Sequence, residues 1–127
     1  MKIKKINAKK APKATGAYVQ ATAIGNLMFV SGQLGIDAQT GEMREGVEAQ
    51  LFQAIQNLAY ILKEKDANLA SVVKTTVFLK NMEDIVKVNA VFDEAFKGDF
   101  PARSCVAVAG LPMNALVEVE AIAVLKK

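Results

Sequence analysis

Leu116-Val117-Glu118-Val119-Glu120-Ala121-Ile122-Ala123-Val124-Leu125 is the stretch whose reading decides the fold. It contains no turn former and is rich in β-branched side chains, so it reads as a strand, whose side chains alternate between two faces. Val117, Val119, Ala121, Ala123 and Leu125 make one face, wholly apolar and suited to lie under helices. Leu116, Glu118, Glu120, Ile122 and Val124 make the other. That second face mixes large aliphatics with two carboxylates, which open solvent suits poorly. Packing against another subunit would explain it.

Outward from this strand, residues 103–109 give a second one, with a Gly110-Leu111-Pro112 turn region between the two. Residues 82–96 carry Ile85, Val88, Phe92 and Phe96 on one helical stripe, and the stretch 97–101, with Gly98 and Pro101, ends it. Val72–Leu79 is again β-branched and reads as a strand. Val47, Leu51, Ala54, Ile55, Leu58, Ile61 and Leu62 recur at helical spacing and predict a helix over 47–65. Asp37 to Gly41 reads as a loop. Before it, residues 18–24 and 27–33 flank Gly25-Asn26, a two-residue hairpin turn. The expected order is ββαβαββ, an α+β arrangement in which two amphipathic helices cover one face of a mixed sheet. Nothing in the chain supplies a third layer.

A chain of 127 residues with 52% hydrophobic content predicts one domain, residues 1–127, with a sizeable core. Its net charge of +3 is unevenly placed. Lys2, Lys4, Lys5, Lys9, Lys10 and Lys13 hold six of the sixteen positive charges, leaving ten basic against thirteen acidic side chains in the remainder. Such an arm can touch phosphate, but it reads first as a solvated terminus, and nucleic acid is not the expected partner. The uncharged run 14–36 is broken by Gln20, Gly25, Asn26, Gly32 and Gln33, so a hairpin is expected there and not a membrane span. No compact apolar block follows the basic residues as a signal peptide would require, and the lone Cys105 suits a reducing compartment. The expected location is the cytoplasm.

With no histidine in the chain, Ser-His-Asp and Cys-His catalysis and histidine metal sites are excluded. No Cys/His cluster, P-loop or dinucleotide fingerprint is present in the sequence, so any chemistry falls to Arg, Glu, Asp, Lys, Tyr, Ser, Cys, backbone groups or a cofactor. Arg103 opens a strand of small residues just after Phe100-Pro101-Ala102. Its planar guanidinium can grip a carboxylate through two parallel hydrogen bonds, although by pattern alone a surface ion pair is the more ordinary use. Glu118 and Glu120 leave one sheet face about 7 Å apart. Either carboxylate could orient a water, or both could simply be solvated. Cys105 shares the Arg103 face without a base to activate it, and reads as a packed small residue. Ser31-Gly32-Gln33 ends a strand with a glycine that permits close backbone approach. Tyr18 and Asn89 read either as local packing and hydrogen bonding or as polar groups aimed at a ligand.

Four segments together carry more than any one of them. Residues 11–21 (APKATGAYVQA), 29–33 (FVSGQ), 72–79 (VVKTTVFL) followed by Val88-Asn89, and 100–104 (FPARS) followed by 116–120 (LVEVE) resemble, in order and spacing, the signature segments of the Rid, or YjgF-type, family, most nearly its RidA branch. The resemblance implies a chorismate-mutase-like fold, a homotrimer and sites in the clefts between subunits. It implies hydrolysis of 2-imino acids and their enamine tautomers to 2-keto acids and ammonia, without cofactor or metal. Arg103 would bind the substrate carboxylate and Glu118, fifteen residues on, would position the water. Tyr18, Ser31, Gly32, Asn89 and Cys105 would line the pocket, with Tyr18 and Ser31 from one subunit and Arg103 and Glu118 from its neighbour. Ala17 departs from the family's usual proline and leaves the Tyr18 loop less constrained. A ribonuclease or translation inhibitor, and a non-catalytic sensor of 2-keto or amino acids, are the alternative readings.

Overall fold

Alternating burial runs the length of the C-terminal strand in the computed structural model, which describes residues 1–126; Lys127, last residue of the expected domain, lies outside the described residues. In chain order the elements are β1 (Lys4–Ile6), β2 (Ala21–Ile24), β3 (Leu27–Leu34), α1 (Val47–Lys63), β4 (Val72–Leu79), α2 (Ile85–Phe96), β5 (Ala102–Ala107) and β6 (Val117–Val124). The strands form one sheet in the order β1-β2-β3-β6-β4-β5. All neighbours are antiparallel except β4 and β5, the parallel pair that α2 connects.

The decisive strand does what its pattern requires. Val117, Val119 and Ala123 expose no surface, and Ala121 and Leu125 are buried with them. Above them α1 lies on β3 and β6 and packs against α2, burying Leu51, Leu58, Ile61 and Leu62. On the other face no helix of the described residues covers the sheet. Phe29, Val106 and Val124 stay exposed there, while Leu116, Glu118 and Ile122 are half-buried.

Five local expectations are corrected. The arm expected as a free terminus contributes β1, with Lys4, Lys5 and Ile6 opposite Ala23, Thr22 and Ala21. Three residues hold no periodicity to read; Ile6 is buried, and its two exposed lysines suit an edge strand. The strand expected from Tyr18 begins only at Ala21, because Gln20 is turned to the preceding loop. Its side chain accepts from the Ala8 N–H at 2.6 Å and donates to the carbonyls of Ala8 at 3.2 Å and Pro12 at 2.9 Å. The first helix ends at Lys63, not 65, as Asp66 takes a left-handed φ of 56° and the Ala67 N–H returns to the Leu62 carbonyl at 3.1 Å. The second helix opens with a 3-10 turn, Met82–Asp84. The strand expected over 103–109 is Ala102–Ala107.

Two features place the site. Pairing of β3 with β6 shifts from Val30–Ala121 to Gln33–Val119, so one extra residue bulges at Ser31-Gly32. Just beyond, Gly35 lies so close to the Gln50 backbone in α1 that a side chain there would collide with it. Gln50 itself is buried; it donates to the Arg44 carbonyl at 3.0 Å and accepts from the Leu116 N–H at 2.8 Å. The entry into β6, and hence Glu118, is thereby tied to the start of α1.

Candidate active site

Glu118 projects from the uncovered face of β6, between Leu34 of β3 and Phe78 of β4. Gly32, in the bulge, lies directly beneath it: a Cβ on Gly32 would overlap the Glu118 carboxylate. Only glycine leaves that carboxylate room, which is the close approach its place in the sequence allowed. The carboxylate opens into a cleft of about 410 Å³ whose walls include Tyr18, Gly32, Ile36, Pro112 and Met113. Loss of water by burial pushes the Glu118 carboxyl above the usual carboxylate range, and the neighbouring charge of Glu120 adds to the effect. Glu120 is exposed. Ser31 does not line this cleft; its hydroxyl donates to the Val19 carbonyl at 2.7 Å, securing the loop that carries Tyr18.

Arg103 lies elsewhere. In β5 it pairs with the buried Thr75 of β4, and Cys105 pairs with the buried Val77, so both point to the helix-covered side. The guanidinium Nη2 donates to Asn89 Oδ1 in α2 at 2.8 Å, and its carbon stands 5.0 Å from the Phe92 ring centroid. Asn89, Phe92, Asp93, Phe100, Pro101 and Arg103 line a second cleft of about 400 Å³. Among the described residues the one ion pair joins Arg44 to Asp37 at 3.0 Å, so the Arg103 charge has no carboxylate partner there. Burial pushes the Cys105 thiol up, with Arg103 opposing, which keeps it protonated at neutral pH and a poor nucleophile.

The expected residues therefore fall into two groups on opposite faces of the sheet. Tyr18, Gly32 and Glu118 share one cleft, Asn89 and Arg103 the other, with Cys105 beside Arg103 on its strand face. This corrects the expected division: Glu118 belongs with Tyr18, not with Arg103. In the sequence Arg103 and Glu118 both stand near the start of a mainly apolar strand, and only the register of β6 and β5 on β4 shows that they face apart. Phe92 beneath the guanidinium was legible only as part of an apolar stripe; its signal is the i, i+3 spacing from Asn89. Among the described residues no cluster of His, Cys, Asp and Glu could hold a metal ion, and no helix is long and apolar enough to cross a membrane.

A mixed sheet with both helices on one face, a carboxylate over a glycine bulge and an unpaired guanidinium on the edge strand define an α+β protein of the Rid type. The chain belongs to that family: the family model described as Endoribonuclease L-PSP matches residues 8–125. It is 45% identical over 125 residues to a RutC family protein of Haemophilus influenzae, covering 95% of this chain and 96% of the relative. A 2-iminobutanoate/2-iminopropanoate deaminase of Salmonella typhimurium is 42% identical over 124 residues, covering 95% and 97%. Among solved structures, that of Escherichia coli TdcF with bound serine is similar, with a TM-score of 0.92, 36% identity, and coverage of 97% of this chain and 99% of that one.

Proposed function

We propose that this chain is an enamine/imine deaminase that hydrolyses 2-imino acids, such as 2-iminobutyrate and 2-iminopropionate, to 2-keto acids and ammonia. It works as a cytoplasmic homotrimer, each site formed where the Glu118 cleft of one subunit meets the Arg103 cleft of the next. The observation that carries the reading is the pair of complementary halves: a guanidinium without a carboxylate and a partly desolvated carboxylate, on opposite faces of one chain. Neither half is a site alone. Brought together across two copies, they hold both ends of a small imino acid. The deaminase name of the Salmonella relative and the amino acid bound to TdcF support the same substrate class.

In this mechanism Arg103 grips the substrate carboxylate with two N–H groups, since the Asn89 bond engages one of its five donors. Glu118 accepts a hydrogen bond from a water held over the imine carbon. As the water oxygen bonds to that carbon, Glu118 takes its proton and the C=N electron pair moves to nitrogen. Glu118 returns the proton to the nitrogen, the C–N bond breaks as the hydroxyl oxygen's lone pair forms the C=O bond, and the regenerated Glu118 carboxylate takes the hydroxyl proton and passes it to the departing ammonia. Protonated imines already hydrolyse in water, so holding the reactants and moving one proton is sufficient catalysis. Freshly generated 2-iminobutyrate, followed with and without protein, tests the proposal. Faster formation of 2-ketobutyrate is expected, and an unchanged rate would overturn it.

The family description also names ribonuclease activity, which the basic arm could serve. Replacing Lys2, Lys4, Lys5, Lys9 and Lys10 by serine separates the two: imine hydrolysis should stay within about twofold while any RNA binding weakens. RNA cleavage that survives repurification and falls with Arg103 substitution would favour the ribonuclease.

A further inference from the structure

We propose that Phe92 is a positioning residue for substrate binding, its ring a platform that fixes the plane of the Arg103 guanidinium. The inference rests on the reading of Arg103 as the carboxylate clamp. An arginine on an edge strand has many rotamers, and a two-pronged grip works only if the fork is aimed beforehand. The Asn89 bond, at 2.8 Å, fixes one N–H but leaves the plane free to turn about it. The Phe92 ring stands under the guanidinium, 5.0 Å from its carbon, within the range at which a ring face attracts the cation and opposes that turning. Arginine donors lie in the guanidinium plane, so resting its face on a ring occupies none of them.

Phe92 is itself firmly held. It is 3% exposed, and its ring lies 5.1 Å from that of Phe96 at an angle of 40°. Asn89 and Phe92 are three residues apart on α2, so one helix sets both constraints on the guanidinium. A leucine would serve the apolar stripe equally well. What it lacks is the electron-rich face that attracts a cation.

The test is binding of 2-ketobutyrate and of its uncharged carboxamide, measured by calorimetry alongside steady-state kinetics. Phe92→Leu should weaken 2-ketobutyrate binding about three- to tenfold and raise KM by a similar factor, with kcat within about twofold. Carboxamide binding should hold, and Phe92→Tyr should behave as the parent protein. In an Arg103→Lys background, adding Phe92→Leu should cost nothing more. If Phe92→Leu does not fold, Phe92→Met, closer in volume, carries the same comparison. Equal losses for acid and carboxamide would make Phe92 merely structural and overturn the proposal. So would unchanged binding in Phe92→Leu when Arg103→Lys has lost it. Unchanged binding in Arg103→Lys would instead overturn the carboxylate clamp itself.

Discussion

Arg103 and Glu118 differ in what their surroundings do for them. Arg103 presents a planar fork of donors, which Asn89 and Phe92 aim. A lysine there would retain the charge and lose the fork. Arg103→Lys should therefore fold normally and lose about 10- to 100-fold in kcat/KM, the range for a lost hydrogen bond to a charged group. Near-normal kinetics would end its assigned role. Glu118 sits where its charge is disfavoured, above the usual carboxylate range through burial and Glu120. As the proposed base it must be ionised, so kcat should rise with pH through a midpoint above the ordinary glutamate value of about 4.3. Glu118→Gln should lower kcat about 100-fold or more while still binding a 2-keto acid, and Glu120→Gln should be milder. The reverse ranking would show the other carboxylate to be the base. Stability moves the opposite way. A raised folded-state pKa means the folded chain holds this proton more tightly than the unfolded one. That stabilisation is complete below the ordinary carboxylate range and lost as pH rises through the raised value. In a chain separated from its neighbours the ionised carboxylate is a burden at neutral pH, so there Glu118→Gln should melt higher than the parent at pH 7, with the gap closing in acid. A lower melting temperature for that variant at pH 7 would contradict the desolvated carboxylate.

One bulge does much of the positioning among the elements. The extra residue at Ser31-Gly32 turns β3 so that Gly32 lies under Glu118 while Ser31 bonds back to the Tyr18 loop. Gly32→Ala places a methyl group against the carboxylate, and overpacking of this kind costs about 1–3 kcal/mol. The variant should stay folded, and kcat should fall at least tenfold as Glu118 is displaced, an effect on the order of 1.4 kcal/mol in the barrier. Unaltered kcat would mean that the carboxylate has freedom the geometry does not suggest. The sequence held the elements but not this bulge. Alternation along residues 116–125 and helical spacing from Val47 are repeated signals, and each survives folding because each reports a buried face. A bulge is one residue out of phase, and Ser-Gly serves turns and strand ends equally. β1 escaped for a related reason, since its three residues are held chiefly by backbone pairing, which leaves little pattern in side chains. The left-handed Asp66 ends α1 without the glycine that usually marks such a stop.

At the scale of the whole molecule, the opposed directions of Arg103 and Glu118 mean that the proposed mechanism needs an oligomer. The uncovered face of the sheet carries Phe29, Ile122 and Val124 around Glu118 and Glu120. Burying apolar area of this kind against a neighbour is favourable, and the proposed trimer has that contact bring the neighbour's Arg103 edge to the Glu118 cleft. Residues from one half should therefore complement residues from the other, and never residues from the same half. Mixing Glu118→Gln with Arg103→Ala, unfolding them together and refolding, should restore about a quarter of the parent activity, since random assembly gives one cleft in four both intact halves. Mixing Glu118→Gln with an inactive Tyr18 variant should restore nothing, because both damage the same half. A division that kept Arg103 and Glu118 in one subunit would give the opposite pattern: no recovery in the first mixture and recovery in the second. Light scattering on the same samples should show a trimer. A fully active monomer would end the proposal, because within one chain the sheet itself stands between the guanidinium and the carboxylate.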